Sequence, residues 1–166
     1  MKERNGEHPF GDAGQLIFLC IFLVIWVVDS FFLHKTTFLS KHVPLYIRLV
    51  IMALSLITAA YLFKSGHVVV RHGSRPSGVV STGAFRYVRH PLYLASILFY
   101  IGLVVSTASL FSLLLLMMIF IFYNHIANYE ERLLLRKFGE NYETYRKKTG
   151  RWVPRIARRA KNPMVI

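Results

Sequence analysis

Apolar residues along this chain fall into four blocks separated by short polar stretches. Residues 14–33 carry one charge, Asp29, across about 20 positions, enough to cross a bilayer core at roughly 1.5 Å per residue. Residues 44–63 form a second block, with Pro44 in a first turn that needs no backbone donor and Arg48 close enough to the end to reach the interface. The blocks at 92–105 and 110–127 are separated only by Ser106-Thr107-Ala108-Ser109. A link that short forces antiparallel neighbours. The last block is predicted to continue as helix through Glu130 and Leu133-Leu134-Leu135 to Phe138, with Gly139 as its C-cap. A further amphipathic helix is predicted over 140–149, stopped near Gly150 and kept from continuing by Pro154. The expected fold is all-α: a polytopic membrane protein with four transmembrane helices and a C-terminal cytoplasmic amphipathic helix.

The polar stretches divide the chain into three units. Residues 1–63 hold a polar start and the first two blocks. Residues 64–154 hold a long loop, the helical hairpin and the last helix. Residues 155–166 are a basic tail. Within 64–89 there are five basic residues, no acid, four glycines and Pro76, which predicts a shaped loop, with Val68-Val69-Val70 as a short extended piece. Asp29 is a functional candidate because acids are costly inside membranes. It lies about one turn from the end of its block, and the preferred reading is a side chain reaching for the interface.

Composition supports the membrane assignment, since 54% of the residues are hydrophobic. That is too apolar for a soluble domain of this length. The formal net charge of +13 would suggest nucleic acid in a soluble protein. Here the basic residues flank apolar blocks, so anionic lipid headgroups are the expected partner, with the tail lying on lipid and no nucleic acid bound. Of the 21 Lys and Arg, all but Lys35, Lys41 and Arg48 fall on one side of a four-span topology. That asymmetry places both termini in the cytoplasm. The single Cys20 excludes an internal disulfide and a Cys-based zinc site. A cleavable leader is not expected: the first twelve residues mix both charges, and the apolar run after them is long enough to span.

Two polar stretches end up on that cytoplasmic side. In Arg89-His90-Pro91-Leu92-Tyr93, Pro91 makes a helix start here, and the free donors at that start beside Arg89 could hold an anion. His90 and Tyr93, three apart, can face the same way. A positive membrane border with an interfacial tyrosine reads equally well from these five residues. In Asn128-Tyr129-Glu130-Glu131-Arg132, Glu130 shares a helical face with Tyr123, Ala127 and Leu134 and can point towards a membrane pocket. Glu131, about 100° away, is expected to face the loop or solvent. The plain alternative is that both acids pair with nearby cations on a solvated surface.

The run from Ser81 to Tyr93, the hairpin, Glu130-Glu131 and the stretch from Phe138 to Pro154 together resemble the isoprenylcysteine carboxyl methyltransferase family, whose wider relatives include phospholipid N-methyltransferases. The resemblance implies a membrane enzyme that moves a methyl group from S-adenosylmethionine to a lipophilic or lipidated substrate, with no metal. It implies that Ser77, Gly78, Val79 and Val80 lie along the cofactor, with Phe85 at a position often held by Tyr. His90, Pro91, Leu92 and Tyr93 would form the cofactor-binding turn and Glu130 the binding acid. In the carboxyl-methylating branch a basic residue precedes that acid by four; here the position is Ile126, with Asn124, His125 or Asn128 as substitutes. The departure bears on whether a prenylated cysteine carboxylate is the acceptor. A sulfonium donor is already activated, so transfer needs mainly alignment, whereas an ammonium acceptor must first lose a proton. His125 is then the candidate base, with Asn128 beside it, although a lone His at a helix end is ordinarily an interfacial residue. Two other classes stand against this reading. One is a small intramembrane reductase using a reduced nicotinamide nucleotide, although no Gly-x-Gly-x-x-Gly run is present. The other is a non-catalytic membrane subunit.

Overall fold

The computed structural model describes residues 11–72 and 78–155. Helix α1 (Gly11–Val27) runs into a π-helical turn, Val28–Leu33, which ends on His34 in the left-handed region. A 3-10 turn at Phe38–Lys41 leads to α2 (Leu45–His72). After a second 3-10 turn at Gly83–Arg86 come α3 (Pro91–Thr107), α4 (Leu110–Phe138) and α5 (Glu140–Lys148). Among the described residues the fold is all-helical, and its one extended pairing is an isolated parallel bridge between Val88 and Gly150.

Among the described residues, three segments are long and apolar enough to cross a membrane: Ala13–Leu33, Leu45–Val68 and Leu110–Phe138. Helix α3 is equally apolar but shorter, with 17 residues. Large apolar side chains such as Leu16, Val24, Leu54, Ile57, Met117 and Ile121 stand exposed on the outer faces. In water that would be an aggregation surface; in lipid it needs no cover.

The core is shared by α1, α3 and α4 through Phe22, Tyr100, Leu103, Leu115, Leu116, Ile119 and Tyr123. Helix α2 lies along α3, and small residues set their spacing. A Cβ on Gly102 would sit 3.3 Å from Ser55 Cβ, and one on Gly66 would sit 2.9 Å from Leu92. Close backbone approach replaces the hydrophobic effect as the force between helices in lipid. Gly66 is therefore a packing residue and not a loop breaker, and α2 continues to His72 instead of stopping at 63. Val68-Val69-Val70 belongs to that helix, so the expected extended piece is not formed.

The α3–α4 link is as short as predicted. Ala108 takes a left-handed conformation and its N–H donates to Val104 O at 2.7 Å, while Ser109 caps α4 by accepting from Ser112 N at 3.2 Å. Asp29 departs from its expectation. It is 2% exposed and its carboxylate accepts from Ser109 Oγ at 2.6 Å, from Thr36 N at 3.2 Å and from the Thr36 hydroxyl. Local hydroxyls and an amide satisfy the charge where reaching outwards would leave them unpaired. Ser30 donates to Thr107, and Arg48 Nη1 donates to Ser106 O at 2.6 Å, so the closed end of the hairpin is sealed by polar contacts from α1 and α2.

Candidate functional site

The open end of the hairpin, where α3 begins and α4 emerges, gathers the charged side chains. Pro91 occupies the first turn of α3, and His90 precedes it with a non-helical backbone, φ −125° and ψ 65°. His90 is buried between two carboxylates: Nε2 lies 3.2 Å from Glu131 Oε1, and Nδ1 lies 3.6 Å from Glu130 Oε2. Tyr93, one turn on, donates its hydroxyl to Glu130 Oε1 at 2.5 Å.

Glu131 is the centre of this cluster and is 5% exposed, so it does not face solvent. Arg89 Nε donates to its Oε1 at 3.0 Å, and Arg151 Nε and Nη2 donate to Oε1 and Oε2 at 2.9 and 3.0 Å. The sequence expectation was half met: Glu131 does turn towards the loop preceding α3, but Arg89 and the segment after α5 close over it. The anion that Arg89 holds at the helix start is this carboxylate. Arg89 also donates through Nη1 to the carbonyls of Arg146 and Thr149, and its own N–H donates to Gly150 O at 2.9 Å. The loop before α3, helix α4 and the chain after α5 are thereby tied at one point. Paired charges with matched hydrogen bonds are the condition under which such burial is tolerated.

Helix α5 is fastened beside this cluster. Tyr145 donates its hydroxyl to Phe85 O at 2.7 Å. Burial pushes the Tyr145 phenol up to about 12, with Arg89 opposing and Glu131 adding to the rise. Tyr142 is also shifted upwards, first by burial and then by the charge of Glu131, and its buried hydroxyl has no hydrogen-bond partner among the described residues.

Aromatic rings connect the charged cluster to the interior. His90 stacks on Tyr93 with centroids 5.6 Å apart, and Tyr93 stacks on Tyr123 at 5.2 Å. Tyr123 lines a cavity of about 500 Å³ between the helices, bounded by Leu16 and Leu19 of α1, Ala59 and Phe63 of α2, and Ser96 and Tyr100 of α3. The polar groups of the cavity lining are the hydroxyls of Ser96, Tyr100 and Tyr123 and the Gln15 side chain, and the rest is apolar. On the outer side, Trp152 packs 5.8 Å from both His90 and Phe120.

The structure brings His90, Pro91, Tyr93 and Glu130 together. Leu92 instead lies against Gly66 of α2. Gly78 is exposed, Val79 and Val80 are half-buried, and Phe85 sits in the 3-10 turn under Tyr145; Ser77 lies outside the described residues. His125 is exposed and, at about 160° around α4 from Tyr123, is not brought to the cluster. Asn128 is half-buried and its carbonyl accepts from Arg132. Ile126 is buried in the core. Sequence reasoning missed Arg151 and Trp152. Neither obeys a spacing rule with Glu131; the one hint was a basic and an aromatic residue between Gly150 and Pro154. Among the described residues no group of three or more His, Cys, Asp or Glu is placed to hold a metal ion.

Fold and site together define an integral membrane protein in which stacked aromatic rings join a buried ionic cluster to a cavity between the helices. The sequence profile of the phospholipid methyltransferase family matches residues 43–141, and the chain belongs to that family. It is also 31% identical over 91 residues to a protein-S-isoprenylcysteine O-methyltransferase of Schizosaccharomyces pombe (strain 972 / ATCC 24843). That match covers 54% of this chain and 39% of the relative's length.

Proposed function

We propose that this chain transfers a methyl group from S-adenosylmethionine to a lipophilic acceptor, a carboxylate or amine of an isoprenoid or lipid, held inside the membrane. The observation that carries the reading is the stack of rings, His90–Tyr93–Tyr123, that links the ionic cluster to the wall of the 500 Å³ cavity. A water-soluble cationic donor and a lipid acceptor need such a junction. The residues present fit the donor. The side chain of Glu130, 17% exposed, offers a carboxylate to an ammonium or sulfonium, and the flat rings of His90 and Tyr93 offer faces to a cation or a purine.

S-adenosylmethionine, when bound, supplies a methyl group on an activated sulfonium. The protein's part is alignment and exclusion of water. Glu130 is held in place by Tyr93 and His90, and Glu131 fixes His90 from its other nitrogen. The cavity walls leave room for a hydrocarbon chain whose head meets Tyr123. A carboxylate acceptor needs no base. For an amine acceptor, we assign the departing proton to the His90–Glu130 pair in place of His125, which faces away. Val79, Val80 and Gly78 border the donor in this proposal, and α3 serves as a fourth span. The charge asymmetry supports a cytoplasmic location for the cluster and both termini, with the basic tail on anionic headgroups. All of that tail beyond Arg155 lies outside the described residues.

The test is incubation of the purified chain with donor labelled in its methyl group and a total lipid extract of the host membrane. A labelled lipid, absent with Glu130→Ala, supports the proposal. Binding of a reduced nicotinamide nucleotide without methyl transfer, or binding of neither nucleotide, refutes it.

A further inference from the structure

We infer that Arg151 is a receptor for a carboxylate on one of the two ligands, a role that rests on the methyl-transfer reading above. A guanidinium has five N–H groups in a rigid plane. In Arg89, whose side chain is 8% exposed, Nε and Nη2 face Glu131 and Nη1 donates to two backbone carbonyls. Its charge is consumed by the fold. In Arg151, Nε and Nη2 face Glu131, and Nη1 donates to Asn124 Oδ1 at 3.0 Å. Among the described residues, one N–H on each terminal nitrogen is left over.

Those two donors sit on a side chain that is 25% exposed, against 5% for Glu131 beneath it. Glu131 on one edge and Asn124 on another fix the plane, so the remaining edge is a preformed fork of the kind that grips a carboxylate. The next residue, Trp152, is in ring contact with His90. Arg151 and His90 also share Glu131 Oε1 as a partner, and His90 in turn lies beside Glu130, so Arg151 belongs to the same cluster. Glu130 from α4 and Arg151 from the segment after α5 bring opposite charges to it, a match for a zwitterionic amino-acid end. An acidic lipid head reaching up past Tyr123 would meet the same fork.

Calorimetry on the full chain in detergent separates the two sources. In the donor arm the probes are S-adenosylhomocysteine and its decarboxylated analogue, which keeps the nucleoside, thioether and ammonium and lacks only the carboxylate. In the acceptor arm they are palmitate and methyl palmitate. The wild type is expected to prefer the carboxylate-bearing probe in one arm by about tenfold to a hundredfold, and Arg151→Gln to erase that preference while leaving affinity for the carboxylate-free probe unchanged. A merely structural role would weaken both probes alike. Erasure in the donor arm assigns the fork to the cofactor, and erasure in the acceptor arm assigns it to the lipid. A preference that survives in both arms, or that never exists in the wild type, overturns the inference. If Arg151→Gln does not fold, Arg151→Lys is read by the same ratio, since it keeps the charge but not the fork, and an unchanged ratio is again fatal. Failure of the wild type to bind either nucleoside probe would sink the methyl-donor reading, while the palmitate arm still decides the role of Arg151.

Discussion

Removing the Glu131 carboxylate should loosen the whole open end of the hairpin. Glu131→Ala leaves Arg89 buried without its counter-charge, although the carbonyls of Arg146 and Thr149 still accept from it. Breaking one side of a buried charge pair costs about 3 to 5 kcal/mol. The retained carbonyls, together with the partial exposure of Arg151, put this case near the lower limit, at about 3 kcal/mol. Arg89→Ala leaves Glu131 with Arg151 and His90, so its loss should be smaller, about 2 kcal/mol. The two changes remove the same contact, and the double variant should fall short of their sum by about 1 to 2 kcal/mol. Unfolding followed by circular dichroism in mixed micelles of mild detergent and dodecyl sulfate measures all three. A Glu131→Ala loss below about 1 kcal/mol with strict additivity would mean that the pair behaves as a solvated surface contact, and the buried-cluster argument would be wrong.

Three further outcomes are expected. His90→Ala and Glu130→Ala should each weaken S-adenosylmethionine binding by about tenfold or more with the fold retained, since one deletes a ring face and the other a carboxylate; calorimetry showing unchanged binding in both would remove the assigned pocket. Asp29→Ala should cost about 2 to 3 kcal/mol in the same unfolding assay, because Thr36 and Ser109 lose a buried acceptor, and donor affinity should not move. The phenol of Tyr145 titrates at about 12 in the folded chain, above its ordinary value of 10. Its stabilising contribution is therefore complete below pH 10 and is lost as pH rises through 12. Alkaline unfolding should be less steep in Tyr145→Phe than in the parent, and identical curves would count against burial of that hydroxyl.

What could be read from the sequence was local. Pro91 set the start of α3, Gly139 the end of α4, and the uncharged four-residue break the hairpin, because each acts through its own backbone or its near neighbours. What could not be read depended on partners far along the chain. Gly66 looked like a loop residue until Leu92 was found against it. Asp29 looked like an interfacial acid because its acceptor-seeking neighbours, Thr36 and Ser109, lie on different elements. Glu131 was given the right direction by helical rotation, and the wrong burial, since Arg151 arrives from beyond α5. His125 was chosen by residue type at a helix end, and the face it occupies then told against it.

The Asp29 and Arg48 contacts have a consequence for how a guest is accommodated. At the closed end of the hairpin, Asp29 holds the turn after α1 to Ser109 at the start of α4, and Arg48 holds α2 to the Ser106 carbonyl of α3. At the opposite end Arg89 and Glu131 join the start of α3 to α4. With both outer helices clamped to the hairpin at its closed tip, widening of the chamber for a long hydrocarbon tenant is expected to grow with distance from that tip, as a bellows opens from its hinge.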